Sequence, residues 1–142
     1  MGTLKGIRMG LAANLASIEG VQISPYMLTN PTVPTLEVFP DPESNVQYHK
    51  AFANGVSKWV MCVRGIAGAV TDIGGQETLD EWLEMSGPTS VFAAIESETT
   101  LDGRVADVTV TECTGYSEYI KRGTQSSYFA STWVVEVLLQ ST

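Results

Sequence analysis

The run Val56 to Ile66 alternates and is apolar on both of its faces: Trp59, Met61 and Val63 on one, Val60, Cys62, Arg64 and Ile66 on the other. An amphipathic surface strand leaves one face polar, so this run predicts a central strand covered on both sides. A second alternating run, Thr132 to Leu139, places Trp133, Val135, Val137 and Leu139 on one face and Thr132, Val134, Glu136 and Leu138 on the other. Two such strands call for a sheet with helices to cover it. A chain of 142 residues with 44% hydrophobic and 17% charged residues has the material for that core. The composition is opposite to that of a disordered chain, and the length fits one domain, 1–142.

The helices are legible from spacing. Leu4, Ile7, Leu11, Leu15 and Ile18 recur at three and four residues and make one apolar stripe, with Thr3 placed to cap the start and Gly20 to end it. A second helix begins near Thr71 or Asp72, with a buried stripe of Leu79, Trp82, Leu83 and Met85, and ends at Gly87-Pro88. Pro88 suits the first turn of a third, short helix, about Thr89 to Glu98, burying Val91, Phe92 and Ile95.

The remaining strands are shorter. Val21 to Tyr26 reads as one. Leu36 to Phe39, punctuated by Pro31, Pro34, Pro40 and Pro42, reads as an edge strand. Gly65, Gly68, Gly74 and Gly75 loosen the connection after the central strand. Val105 to Thr114 is a late strand, with Val108 and Val110 on one face. Gly115 to Ser131 is an extended hairpin with its tip at Arg122-Gly123-Thr124, and Asp41 to Asn54 is a polar, projecting loop. The expected fold is α+β: a mixed, mostly antiparallel sheet packed by the N-terminal helix and the central helix pair, with an extended C-terminal hairpin.

Charge narrows function. Eight Lys+Arg against sixteen Asp+Glu give a net charge of −8. Nucleic-acid binding by phosphate neutralisation and docking on an anionic membrane both want the opposite sign. The start of the sequence is a poor signal peptide, with Asn14 and Ser17 interrupting a short apolar stretch, so a cytoplasmic product is expected. Cys62 and Cys113 both fall in strand-like runs and read as small buried hydrophobes. With His49 alone beside them they make no structural zinc set.

No catalytic constellation emerges. Gly65-Ile66-Ala67-Gly68 lacks both the dinucleotide spacing and a phosphate-binding Lys, and reads as a strand-to-helix connection. His49 is the sole candidate general base near neutral pH and sits in a polar loop. The carboxylate pairs Asp80/Glu84 and Glu96/Glu98 read as solvated helix surface. The expectation is a non-enzyme with no cofactor and no metal. The aromatics are more telling. Tyr116, Tyr119, Tyr128 and Phe129, with Lys121 and Arg122, lie on the hairpin arm, and Tyr48 and Phe52 lie in the loop before the central strand. Tyr, Phe and Arg anchor protein–protein contacts, so these residues are the candidate subunit interface, with a self-packed hairpin as the alternative for the arm.

The order of motifs carries a resemblance. Ile7-Arg8-Met9-Gly10-Leu11-Ala12-Ala13-Asn14-Leu15-Ala16 precedes Val21-Gln22-Ile23-Ser24-Pro25-Tyr26. Trp59-Val60-Met61-Cys62-Val63, Thr71-Asp72-Ile73-Gly74-Gly75-Gln76 and Leu79-Asp80 follow, then Ser86-Gly87-Pro88-Thr89-Ser90-Val91 with Ala93-Ala94-Ile95-Glu96. Val108-Thr109-Val110-Thr111-Glu112-Cys113-Thr114-Gly115-Tyr116 and Trp133-Val134-Val135-Glu136-Val137-Leu138 close the series. Together, across nearly the whole chain, these resemble the tail terminator proteins of long-tailed bacteriophages, especially those infecting actinobacteria. The resemblance implies a homohexameric ring at the head-proximal end of the tail tube. Such a ring stops tube polymerisation and joins the tail to the head connector. Its partners would be further copies of itself, the major tail tube protein and the connector or stopper protein, with DNA passing through unbound. It would reside in the virion after assembly in the host cytoplasm. A head-to-tail stopper or other neck protein, a non-catalytic cytoplasmic binding module and, last, an enzyme with a pocket beside His49 or Arg64 are the alternative readings.

Overall fold

The computed structural model describes residues 4–27, 33–41, 56–69, 73–120 and 127–140. The elements in chain order are α1 (Leu4–Leu15), β1 (Gln22–Ser24), β2 (Thr35–Pro40), β3 (Val56–Ala69), α2 (Ile73–Leu83), α3 (Val91–Ile95), β4 (Asp107–Cys113), β5 (Ser117–Ile120) and β6 (Ser127–Gln140). The six strands form one mixed sheet in the order β1-β2-β3-β6-β4, with β5 also pairing β6. Only β1 with β2 is parallel; the other pairings are antiparallel. The fold is therefore α+β.

The two alternating runs form the centre. β3 and β6 pair from Val56↔Gln140 to Ala69↔Tyr128, with an irregularity between Ile66 and Gly68. One face of this pair buries Met61, Val63, Trp133, Val135 and Val137. The helices close on that face with Ile7, Leu11 and Leu15 of α1, Leu79 and Trp82 of α2, and Val91 and Ile95 of α3. Each buried Leu, Ile or Val contributes about 1.5–3 kcal/mol over an exposed one, so the helices hold by their stripes rather than by propensity.

Several expectations change on contact with the structure. The central strand is flanked on both sides, but α1, α2 and α3 all pack on the same face. On the second face Cys62 and Ile66 are buried as well, and Val60 and Arg64 are half-buried. β2 is an edge strand only in its second half: β1 pairs Gln22–Ser24 with Thr35–Glu37, and from Val38 to Pro40 no described strand lies on its outer side. The expected hairpin is β5 paired with the first residues of β6, which continues without a break into the closing strand, so β4 and β5 together run along one side of the 14-residue β6. The turn between them passes through Gly115 at φ +68°.

Gly65 and Gly68 lie inside β3, not in a connection. A Cβ on Gly65 would stand 2.7 Å from the Trp82 ring and 2.9 Å from Leu36, and a Cβ on Gly75 would stand 2.9 Å from Gly68 Cα. Glycine weakens a strand, but here its missing side chain lets α2 seat directly on the strand backbone. Met85 is 71% exposed rather than on the buried stripe, since α2 ends at Leu83. α3 is capped by Ser90, whose Oγ accepts from Ala93 N at 3.0 Å; Pro88 therefore precedes the cap instead of opening the helix. Ala94 is buried there, and Phe92 is half-buried. Cys62 is buried as expected, whereas Cys113 is exposed on the last residue of β4, and no disulfide joins them.

The expected caps Thr3, Thr71 and Asp72, the projecting loop Asp41 to Asn54 except for Asp41 itself, and the hairpin tip Arg122-Gly123-Thr124 lie outside the described residues.

Candidate interaction surfaces

The hairpin arm begins where β4 hands over to β5. The Tyr116 ring meets Phe129 edge-on, with centroids 5.4 Å apart. Its hydroxyl donates to the Asp80 carboxylate and lies 3.0 Å from Gln76 O, both on α2. The bond to the Asp80 carboxylate, then desolvation and the nearby negative charge, push the Tyr116 hydroxyl up to about 12. Tyr119 lies on the opposite face of the sheet, where the Arg64 guanidinium stands 4.9 Å from its ring centroid. Tyr128 and Phe129 are half-buried, while Tyr116 is 45% exposed. Thus Tyr116, Tyr119 and Phe129 all fasten the base of the arm to its own chain. Tyr48, Phe52, Lys121 and Arg122 lie outside the described residues, as does His49.

The helix-free face of the described sheet is organised around Arg64. In the β2–β3 register Glu37 sits opposite Arg64 and Phe39 opposite Cys62. Arg64 Nε and Nη2 reach Glu37 Oε1 at 2.7 and 2.5 Å. The guanidinium also stands 5.2 Å from the Phe39 ring centroid. Glu37 is fully buried, and the Arg64 side chain is 21% exposed. An ionised acid at that depth costs several kcal/mol unless paired, and the planar guanidinium can pair with it and stack on two rings at once. Sequence inspection placed Arg64 on this face but missed Glu37. The signal was a lone acid in an apolar strand, and its meaning depends on a register that the sequence does not state.

At one end of the described sheet the terminal strand is β4, and it is managed rather than bare. The Val110 amide donates to Glu96 Oε2 at 2.9 Å, so the carboxylate occupies a donor at mid-strand. Glu98, on the turn after α3, accepts from Thr100 N at 2.9 Å and from Asp102 N at 2.5 Å. These bonds, led by the Thr100 amide, hold its carboxyl below the usual carboxylate range. They brace Leu101 and Asp102, which adopt φ +49° and +60° so that Leu101 can bury against Gly10 of α1. Glu96 and Glu98 are therefore local tethers, not merely solvated surface. Beside β4 an apolar groove of about 190 Å³ opens between Leu83, Met85, Phe92, Val110 and Trp133, with Glu112 and Cys113 on its wall.

At the other end of the sheet, α1 and the turn after β1 expose large apolar side chains: Met9 at 46%, Tyr26 at 46% and Met27 at 52%. Between them Arg8 ties α1 to the turn and to β2, donating to Pro25 O and Val38 O at 3.1 Å and standing 4.8 Å from the Tyr26 ring centroid.

Gly65-Ile66-Ala67-Gly68 forms strand backbone under α2, not a loop before a helix. Among the described residues no group of three or more His, Cys, Asp or Glu is placed to hold a metal. No helix among them is long and apolar enough to cross a membrane. No protein-family model and no curated protein matches this chain.

Proposed function

We propose that this chain is a structural virion protein that forms a ring at the head-proximal end of a phage tail tube, ending tube polymerisation and joining the tail to the head connector. The observation that carries this reading is the pair of unlike apolar patches at the two ends of one sheet, Met9, Tyr26 and Met27 at one and the Met85 groove at the other. A closed ring needs a heterologous, head-to-tail contact, hence two different surfaces on each subunit. The resemblance of the sequence to tail terminators along nearly its whole length supports the same reading. The net charge of −8 suits a channel through which DNA slides, because carboxylates add no phosphate-binding free energy. In this reading the arm, with Lys121 and Arg122, and the loop with Tyr48 and Phe52 are the candidate contacts to a neighbouring subunit or the tube, and the Tyr116, Tyr119 and Phe129 contacts fix the base of the arm.

The test is tube growth. The tube protein from the same genome is polymerised with and without this chain, and lengths and ends are measured by electron microscopy. Capped ends and arrested growth are expected. Tubes of unchanged length with bare ends would refute the function.

A further inference from the structure

We infer that the two patches are the halves of one contact between copies of this chain: the apolar groove beside β4 of one copy receives the outer face of α1 and the Tyr26-Met27 turn of the next. This deepens the ring reading and rests on it for closure; the contact itself is a property of two copies alone.

Three observations select that occupant. First, the exposed side chains match in kind. Met9, Tyr26 and Met27 are about half exposed, and Met85 at the groove is 71% exposed; Met and aromatic residues are the types enriched at interface cores. Second, the charges are complementary. Glu84 and Glu112 stand exposed beside or on the groove. Lys5 stands exposed one turn from Met9, on the same face of α1. None of the three belongs to an ion pair among the described residues, where the pairs are Lys58–Glu136 and Arg64–Glu37. Groove against groove would set acid on acid, and α1 against α1 would set cation on cation. The head-to-tail arrangement alone brings opposite signs together. Third, Glu96 already holds the Val110 amide, which disfavours an added strand at the middle of β4. The occupant must therefore offer side chains from a helix or turn, as the α1 patch does.

The experiment uses the full chain with two single substitutions, Met9→Glu and Met85→Glu, both at exposed positions where the fold should persist, checked by thermal melting. Masses are read by native mass spectrometry over a concentration series. The wild type should assemble. Each variant alone should remain a monomer, with the apparent dissociation constant raised at least about 30-fold, as expected for spoiling a central contact. Mixed together, the two variants should form a one-to-one heterodimer and nothing larger, because each retains one intact half. Lys5→Glu should weaken assembly, and adding Glu112→Lys should restore part of it. The proposal is overturned if either Glu variant assembles like the wild type, or if the mixture stays monomeric. It is also overturned if Met85→Glu assembles normally but no longer caps tubes, which would assign the groove to the tube. A wild type that assembles through another surface keeps the ring reading and discards this interface. A wild type that neither assembles nor caps tubes discards both.

Discussion

Replacing Arg64 by Met removes the guanidinium that stands between Glu37, Phe39 and Tyr119 while keeping most of the side-chain volume. Breaking a buried ion pair from one side typically costs 3–5 kcal/mol. The Arg64 side chain is 21% exposed, so water can reach its charged end, and the lower part of that range applies. Loss of the two ring contacts adds about 0.5–1 kcal/mol each at such partly exposed sites. The expected destabilisation is about 4–5 kcal/mol. For a chain of this length that corresponds to a Tm lower by roughly 15 °C. The assay is urea and thermal unfolding of four proteins: wild type, Arg64→Met, Glu37→Leu and the double variant. The double variant should recover most of the loss, since it removes the buried charge together with its partner. Hydrogen exchange should also quicken across Ser117–Ile120 in Arg64→Met, because Tyr119 loses its clamp. A Tm shift below about 2 °C, or a double variant no more stable than Arg64→Met, would refute the reasoning, given that a loss of ~1 kcal/mol alone should move Tm by several degrees.

Three further outcomes follow from the same structure. Gly65→Ala should destabilise by about 1–2 kcal/mol in urea unfolding despite alanine's better strand entropy, because its Cβ would meet the Trp82 ring and Leu36 at under 3 Å; an unchanged midpoint would contradict the close seating of α2. Glu96→Ala should cost about 1–2 kcal/mol and raise aggregation in light scattering, since it frees the Val110 amide on the terminal strand β4; a variant as stable and soluble as the wild type would contradict this. For Tyr116 the hydroxyl is raised from 10.0 to about 12 in the folded state. The protonated form is favoured by folding, so its contribution is full below pH 10 and is lost as pH rises from 10 to 12. Tyr116→Phe should flatten that part of the stability–pH curve, and an unaltered curve would contradict the Tyr116–Asp80 hydrogen bond.

What was legible in the sequence was whatever a local period encodes. The stripe Ile7, Leu11, Leu15 and Ile18 is buried, and the alternations around Met61-Val63 and Trp133-Val135-Val137 became the two long central strands. Illegible were features that depend on which distant segment comes alongside. Gly65 and Gly68 read as linker because glycine weakens strands locally, and only the proximity of Trp82 and Gly75 explains them. The same holds for Glu37, whose partner is set by register, and for Met85, which lost its place on a stripe when the helix stopped two residues earlier. Cys113 followed the strand period, yet it ends a terminal strand and stays exposed. Among the candidate interface aromatics, Tyr116, Tyr119 and Phe129 have intrachain partners that hairpin logic alone does not supply. The exposed Met9, Tyr26 and Met27 went unread, because scattered exposed apolar residues have no sequence period.

The most direct test of the ring is the mass of the assembled protein, by native mass spectrometry across a wide concentration range and by imaging of capped tube ends. The proposed ring requires one closed species of six copies whose size does not change with concentration. An open-ended series of oligomers, or a monomer both in solution and at tube ends, would contradict it.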